Sequence, residues 1–145
     1  MAFDKESSAG YLINHLARLF AQALGARIKP LGLSPGQFPV LLELWREDGL
    51  TQRELVGRLD VEQATIANTL ARMERDGLIS RRPDPKDGRA QSIRLTAKAR
   101  ALETPATAAA HEGNRELLAG LSKTERDDYL TFTRRIIDRA RGLRG

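Results

Sequence analysis

The chain contains no cysteine. Disulfides, thiolate nucleophiles, thiol redox switches and thiolate metal sites are therefore excluded. Histidine is almost as scarce. His15 and His111 are the only imidazoles, and neither stands beside a serine or aspartate that would make a nucleophilic pair. Glycine-rich phosphate loops and metal-ligand spacings are also missing, so an enzyme is the weakest functional class and neither a cofactor nor a metal is expected. No stretch approaches the roughly 18 uninterrupted apolar residues of a membrane helix. The opening Met1-Ala2-Phe3-Asp4-Lys5-Glu6 mixes charges with no apolar run behind it. A cytoplasmic protein with no membrane partner is expected.

What is present is positive charge, unevenly placed. The net charge is +5. The segment from Arg81 to Arg100 holds seven cations (Arg81, Arg82, Lys86, Arg89, Arg94, Lys98, Arg100) against two anions (Asp84, Asp87), and the remaining 17 cations and 17 anions cancel. A whole net charge gathered in one short segment reads as an element facing a polyanion; the alternative is a solvated charge run. At 145 residues the chain fits one domain with a real core.

Residues 8–29 read as a first helix, with Leu12, Leu16, Leu19, Phe20, Ala23 and Leu24 at three- and four-residue steps. Lys29-Pro30-Leu31-Gly32 breaks it. Ser34-Pro35-Gly36-Gln37 supplies an N-cap, a proline at the first helical position and a glutamine at the third, which predicts a second helix running to about Glu47. Thr51-Gln52-Arg53-Glu54 is a further capping box, opening a short helix with Leu55, Val56 and Leu59 inward. After a tight turn at Asp60-Val61, a helix over 62–76 ends at Asp76-Gly77. Residues 78–82 and 91–95 then read as strands around the turn-rich 83–88. Helix, helix, tight turn, helix and β-hairpin in that order make a winged helix-turn-helix, mainly α with a small β-hairpin wing.

Thr96 is placed to cap a long helix running to about Ala119, bent at Thr104-Pro105. Ser122-Lys123-Thr124-Glu125 is another capping box and starts a last helix with Tyr129, Phe132, Ile136 and Leu143 in one stripe. The first helix and the two C-terminal ones exceed a minimal winged helix. Their apolar stripes need cover, and a second copy supplies it economically, with the small residues Ala106 to Ala110 permitting close helix approach; cover by their own domain is the alternative. The expected organisation is a single domain over 1–145, with 31–96 as the DNA-binding lobe and 1–30 and 97–145 as N- and C-terminal dimerisation helices.

In the helix over 62–76, at about 100° per residue, Ile66, Leu70 and Met73 share a core face. Thr65, Asn68, Thr69 and Arg72 lie roughly opposite, with Gln63 and Ala64 at the leading end. Such a set suits a major groove: Arg reads guanine, Asn or Gln adenine, and Ala or a Thr methyl packs on thymine. An ordinary solvated face is the bland alternative, and the capped helix before it and the basic hairpin after it argue against that. At the hairpin tip, Asp87-Gly88-Arg89 sets a carboxylate two residues before an arginine that can enter a narrow minor groove, with Asp87 expected to hold the guanidinium. Arg81, Arg82 and Lys86 are expected on phosphates.

These blocks resemble the MarR family of bacterial regulators over nearly the whole chain. The resemblance is carried by Leu33-Ser34-Pro35-Gly36-Gln37-Phe38, by Thr51-Gln52-Arg53-Glu54-Leu55, by Gln63-Ala64-Thr65 with Arg72-Met73-Glu74-Arg75-Asp76-Gly77-Leu78-Ile79, and by Asp87-Gly88-Arg89-Ala90 leading to Leu95-Thr96. It implies a homodimer built from terminal helices, reading helices in successive major grooves of double-stranded DNA, wings in the minor groove, and relief of repression by a small aromatic acid bound between the lobes. Two positions depart from the pattern. Glu62 stands where many members carry a Ser or Thr cap, and Ala99 replaces a frequent glycine. Tyr11, His15 and Arg18 form one stripe of the first helix and offer an aromatic carboxylate a ring, an imidazole and a guanidinium; a solvated face with a partly packed tyrosine is the alternative. Trp45 reads as core. A winged helix used as a protein-interaction module is the rival function, since fold alone does not fix function.

Overall fold

The computed structural model describes residues 1–144. Helices α1 (Ala9–Ile28), α2 (Phe38–Arg46), α3 (Gln52–Leu59) and α4 (Gln63–Arg75) precede strands β1 (Ile79–Pro83) and β2 (Gln91–Leu95), and α5 (Ala97–Ala101), α6 (Glu103–Leu117) and α7 (Lys123–Leu143) follow. The strands pair antiparallel, Ile79 opposite Leu95 and Pro83 opposite Gln91. Residues before α3 add a short third edge: Gly49 N–H donates to the Ile93 carbonyl, Ile93 N–H donates to Leu50, and Thr51 bridges Ser92. The fold is a winged helix-turn-helix extended by terminal helices.

Local sequence chemistry explains most helix ends. Thr51 and Ser122 each form both bonds of a capping box, with Glu54 and Glu125 respectively. Ser8 and Thr96 cap α1 and α5 through their hydroxyls. The α4 C-terminus closes on Gly77 at φ 73°, with Leu78 N–H reaching back to the Met73 carbonyl. Glycine is required there because a side chain in the left-handed region is strained.

Two helix boundaries differ from expectation, and proline accounts for both. The second helix begins at Phe38 rather than directly after Ser34. Pro39 has no N–H to give the Pro35 carbonyl, so residues 35–37 form a turn and Leu41 N–H to Gln37 opens the α ladder. Gln37 still reaches back to the Ser34 N–H through its side chain at 3.2 Å. The expected single helix from Thr96 is broken at Leu102, earlier than Thr104-Pro105. Pro105 lacks the N–H that would bond Ala101, and Leu102 N–H bonds the Ala99 carbonyl instead.

The core lies among α2, α3, α4 and the hairpin. Leu41, Leu44, Leu55, Leu70, Met73 and Ile93 are fully buried, and Ile28 of α1 and Ala99 and Ala106 of α5 and α6 close it from above. Trp45 is half-buried against this core, and its indole N–H donates to the Ala99 carbonyl at 3.0 Å. α7 contributes no buried residue. Its apolar side chains face those of α1 across an open groove of about 540 Å³ lined by Leu12, Ile13, Leu16, Phe132, Ile136 and Ile137.

Candidate nucleic-acid interface

The two faces of α4 separate as its periodicity predicts. Ile66, Leu70 and Met73 are buried, while Gln63, Ala64, Thr65, Asn68 and Arg72 are exposed. Thr69 lies at the margin: it is half-buried, and its hydroxyl donates to the Thr65 carbonyl at 2.9 Å. Glu62 occupies the N-cap position without bonding any helix N–H through its side chain, so the first amides of α4 stay open. The helix is held at its C-terminal end. The Gln37 amide donates to Asp76 at 3.0 Å, and Lys98 donates to the Asp76 backbone carbonyl at 2.9 Å. The Asp76 carboxyl is held below its ordinary range, chiefly by the Gln37 hydrogen bond.

Between the start of α4, the start of α3 and the wing runs a groove of about 720 Å³. It brings together Gln63, Arg81, Asp87 and Arg89 of the expected residues, and adds Gln52 and Arg53 from the first turn of α3. Those two were missed by the sequence reading, although the capping box at Thr51 marks them as the positive end of a helix, where anions are favoured. Arg82 and Lys86 are exposed on the wing outside this lining, and Ala64, Thr65, Asn68, Thr69 and Arg72 continue along α4. Arg81 is tied to Glu74 at 3.5 Å. Arg53, Arg72, Arg82, Lys86 and Arg89 have no ion-pair partner among the described residues. Long cations left unpaired beside a short polar helix face keep their charge for a partner outside the chain.

At the wing tip the structure corrects one expectation. Asp87 does not hold the Arg89 guanidinium; its carboxylate accepts the Arg89 backbone N–H at 3.0 Å, and the Asp87 carbonyl accepts from Ala90. An aspartate two residues ahead of an amide closes a local turn with less entropy than ordering a long side chain requires. Asp87 shapes the tip, and Arg89 is left free.

The stripe on α1 lies on a largely exposed face of the helix. The Tyr11 ring packs edge-on to His15 at 6.2 Å, with Lys5 Nζ 5.5 Å from the tyrosine ring centre. His15 and Arg18 are exposed, and neither they nor Tyr11 line the groove between α1 and α7. A separate cavity of about 240 Å³ lies between α1, α6 and the turn before α2, lined by Phe20, Leu24, Pro35, Phe38 and Asn114.

Residues 33–90 match the model of the MarR family. The chain also superposes on a MarR transcriptional regulator from Methanosarcina mazei Go1, with 28% identity over 92% of this chain and 96% of that one and a TM-score of 0.85. The chain is similar to MarR-family regulators in sequence over residues 33–90 and in fold over nearly its whole length. The PcaV transcriptional regulator from Streptomyces coelicolor, solved in complex with its natural ligand, is 29% identical over 97% of this chain and 99% of that one, with a TM-score of 0.85. A putative MarR-family regulator from Listeria monocytogenes, solved with a 26mer DNA, shares the fold at 20% identity, 92% and 89% coverage and a TM-score of 0.82. The chain thus has the fold of MarR-family transcriptional regulators, and no helix among its described residues is long and apolar enough to cross a membrane.

Proposed function

We propose that this chain is a MarR-family regulator, a sequence-specific DNA-binding repressor that acts as a homodimer on a pseudo-palindromic operator and is released by a small aromatic acid. The observation that carries the reading is the exposed face of α4, with Asn68 open to solvent and Arg72 without an ion-pair partner among the described residues, lying beside a groove edged by Arg53, Arg81 and Arg89. A helix about 10–12 Å across fits a major groove about 12 Å wide. In this reading Gln63, Ala64, Thr65, Asn68, Thr69 and Arg72 meet base edges. Arg81, Arg82 and Lys86 meet phosphates, and Arg89 enters the minor groove from a tip shaped by Asp87. The Listeria relative solved with DNA supports this use of the fold.

Residues 31–96 serve as the DNA-binding lobe, and 1–30 with 97–145 as dimerisation helices. The open apolar groove between α1 and α7 supports this division, because none of the described residues fills it. For the effector, Arg18 offers a guanidinium to a carboxylate and Tyr11 and His15 offer rings, and the PcaV structure with its ligand supports an effector-responsive fold. The 240 Å³ cavity is the second position to test; its apolar lining with Asn114 fits a ring better than a charge.

The deciding experiment measures binding to the DNA flanking the gene for this chain and to random DNA of equal length. Arg72→Ala should cost about 1–3 kcal/mol on the operator and relax the preference at one base pair in each half-site. Random DNA should barely respond. Equal losses on both DNAs would remove α4 as the reading helix and leave the protein-interaction module as the better account.

A further inference from the structure

The C-terminal end of α7 is fastened to the turn of the helix-turn-helix. Arg141 Nε donates to Asp60 Oδ2 at 2.6 Å, Arg141 Nη2 donates to the Arg58 carbonyl at 2.9 Å, and Arg144 Nη2 donates to the other Asp60 oxygen. Among the described residues these are the only side-chain hydrogen bonds that α7 makes to any earlier helix or turn; its others stay within the helix or its lead-in. Asp60 is also the one non-glycine described with a left-handed backbone, φ 55°. It ends α3 and stands two residues before Glu62, the N-cap of α4. On its other side the Arg58 guanidinium reaches Glu47 at 3.1 Å and Glu43 at 3.6 Å, tying the same turn to α2.

The mechanical setting gives this contact a role. The core that carries α4 joins the terminal helices along the chain at two places, the break at Leu102 and the bend around Lys29–Leu31. A joint at chain crossings leaves rotation free; an attachment at a third, distant point restricts it. We propose that Asp60, Arg141 and Arg144 form a clamp through which the end of α7 sets the direction in which α4 is presented, making them positioning residues for DNA reading.

This inference rests on α4 being the reading helix. The pairs are solvent-exposed, with side-chain exposures of 46% for Arg141, 62% for Arg144 and 30% for Asp60. Exposed pairs are individually weak and screened by salt. Such a clamp orients an element without stabilising the fold much, and it opens and recloses easily. The Asp60 carboxyl is held below its usual range by Arg144 first and Arg141 second, consistent with a fully charged cluster at neutral pH.

The test uses the natural absence of cysteine. Cysteines introduced as Ala71→Cys on α4 and Ala119→Cys beyond α6 carry a label pair, and labelled chains are diluted into excess unlabelled protein so that only the distance within one chain is read. Three variants are compared with the parent: Asp60→Gly, which keeps the left-handed turn and drops the carboxylate; Arg141→Gln with Arg144→Gln; and all three together. Each should broaden and shift the distance distribution, the combination should do no more than either part, and high salt should move the parent the same way. Operator binding should weaken about threefold to tenfold with little change on random DNA or in melting temperature. A distribution that ignores all variants overturns the clamp while leaving operator preference intact. A parent that prefers no DNA sequence overturns the reading of α4, and with it the positioning role, in the DNA arm alone.

Discussion

Replacing Ile136 by aspartate probes the proposed dimer at the most exposed apolar residue lining the α1–α7 groove. Ile136 is 67% exposed, and it shares the α7 face with Phe132 at 54% and Ile137 at 49%, across the groove from Leu12 at 46%. Within one chain the substitution removes little, because two-thirds of the side chain already meets water. Between two chains it removes much. Fully burying an isoleucine stabilises by about 1.5–3 kcal/mol, so the remaining two-thirds is worth about 1–2 kcal/mol, and a two-fold interface counts it twice. Burying a carboxylate without a partner adds several kcal/mol more. The dimer dissociation constant should therefore rise at least about a hundredfold, since each 1.4 kcal/mol is a factor of about ten. Light scattering and sedimentation across a micromolar dilution series read the mass directly, with Ile136→Val as a control expected to shift the constant by less than tenfold. If Ile136→Asp remains a dimer with a constant within threefold of the parent, the α1–α7 face is not the interface and the division into dimerisation helices is wrong.

Four further outcomes follow from the site. Arg89→Ala should weaken operator binding about tenfold or more, on the order of 1.4 kcal/mol, without lowering the melting temperature; unchanged affinity would place the wing outside the minor groove. Lys86→Ala should weaken operator and random DNA alike and flatten the plot of log affinity against log salt by about 0.9 per lost phosphate contact; an unaltered slope would take Lys86 off the backbone. An aromatic carboxylate should raise the melting temperature and release DNA, and Arg18→Ala should abolish both responses while DNA binding persists; a fully responsive variant shifts the effector to the cavity beside Asn114. On acidification, four carboxyls matter: Glu54 and Glu125 are held low by backbone N–H bonds from Thr51 and Ser122, Asp60 by Arg144 and Arg141, and Asp76 by Gln37. A depressed folded-state value stabilises above the unfolded values, 3.8 for Asp and 4.5 for Glu, and that contribution is lost as pH falls through the folded ones. Melting temperature should hold down to about pH 4.5 and then fall, whereas a rise on further acidification would contradict the assigned bonds.

What was legible in the sequence alone is what closes over a few residues. The capping boxes at Thr51 and Ser122, the Gly77 stop and the two faces of α4 depend on spacings of three or four residues, which a helix turns into neighbours whatever else the chain does. The net charge of the wing segment was equally plain, because composition needs no geometry. The prolines were legible in kind, yet their exact effect was set by which carbonyl each would have bonded, Pro35 for Pro39 and Ala101 for Pro105. Tertiary structure alone decided the rest. It put Gln52 and Arg53 into the groove with Arg81 and Arg89. It left His15 and Arg18 exposed on α1, and it carried Arg141 to Asp60 across 81 positions. Contacts over that separation exist only after the core has closed, since the loop entropy they cost is offset by burial elsewhere in the molecule, and no local pattern in the sequence records the result.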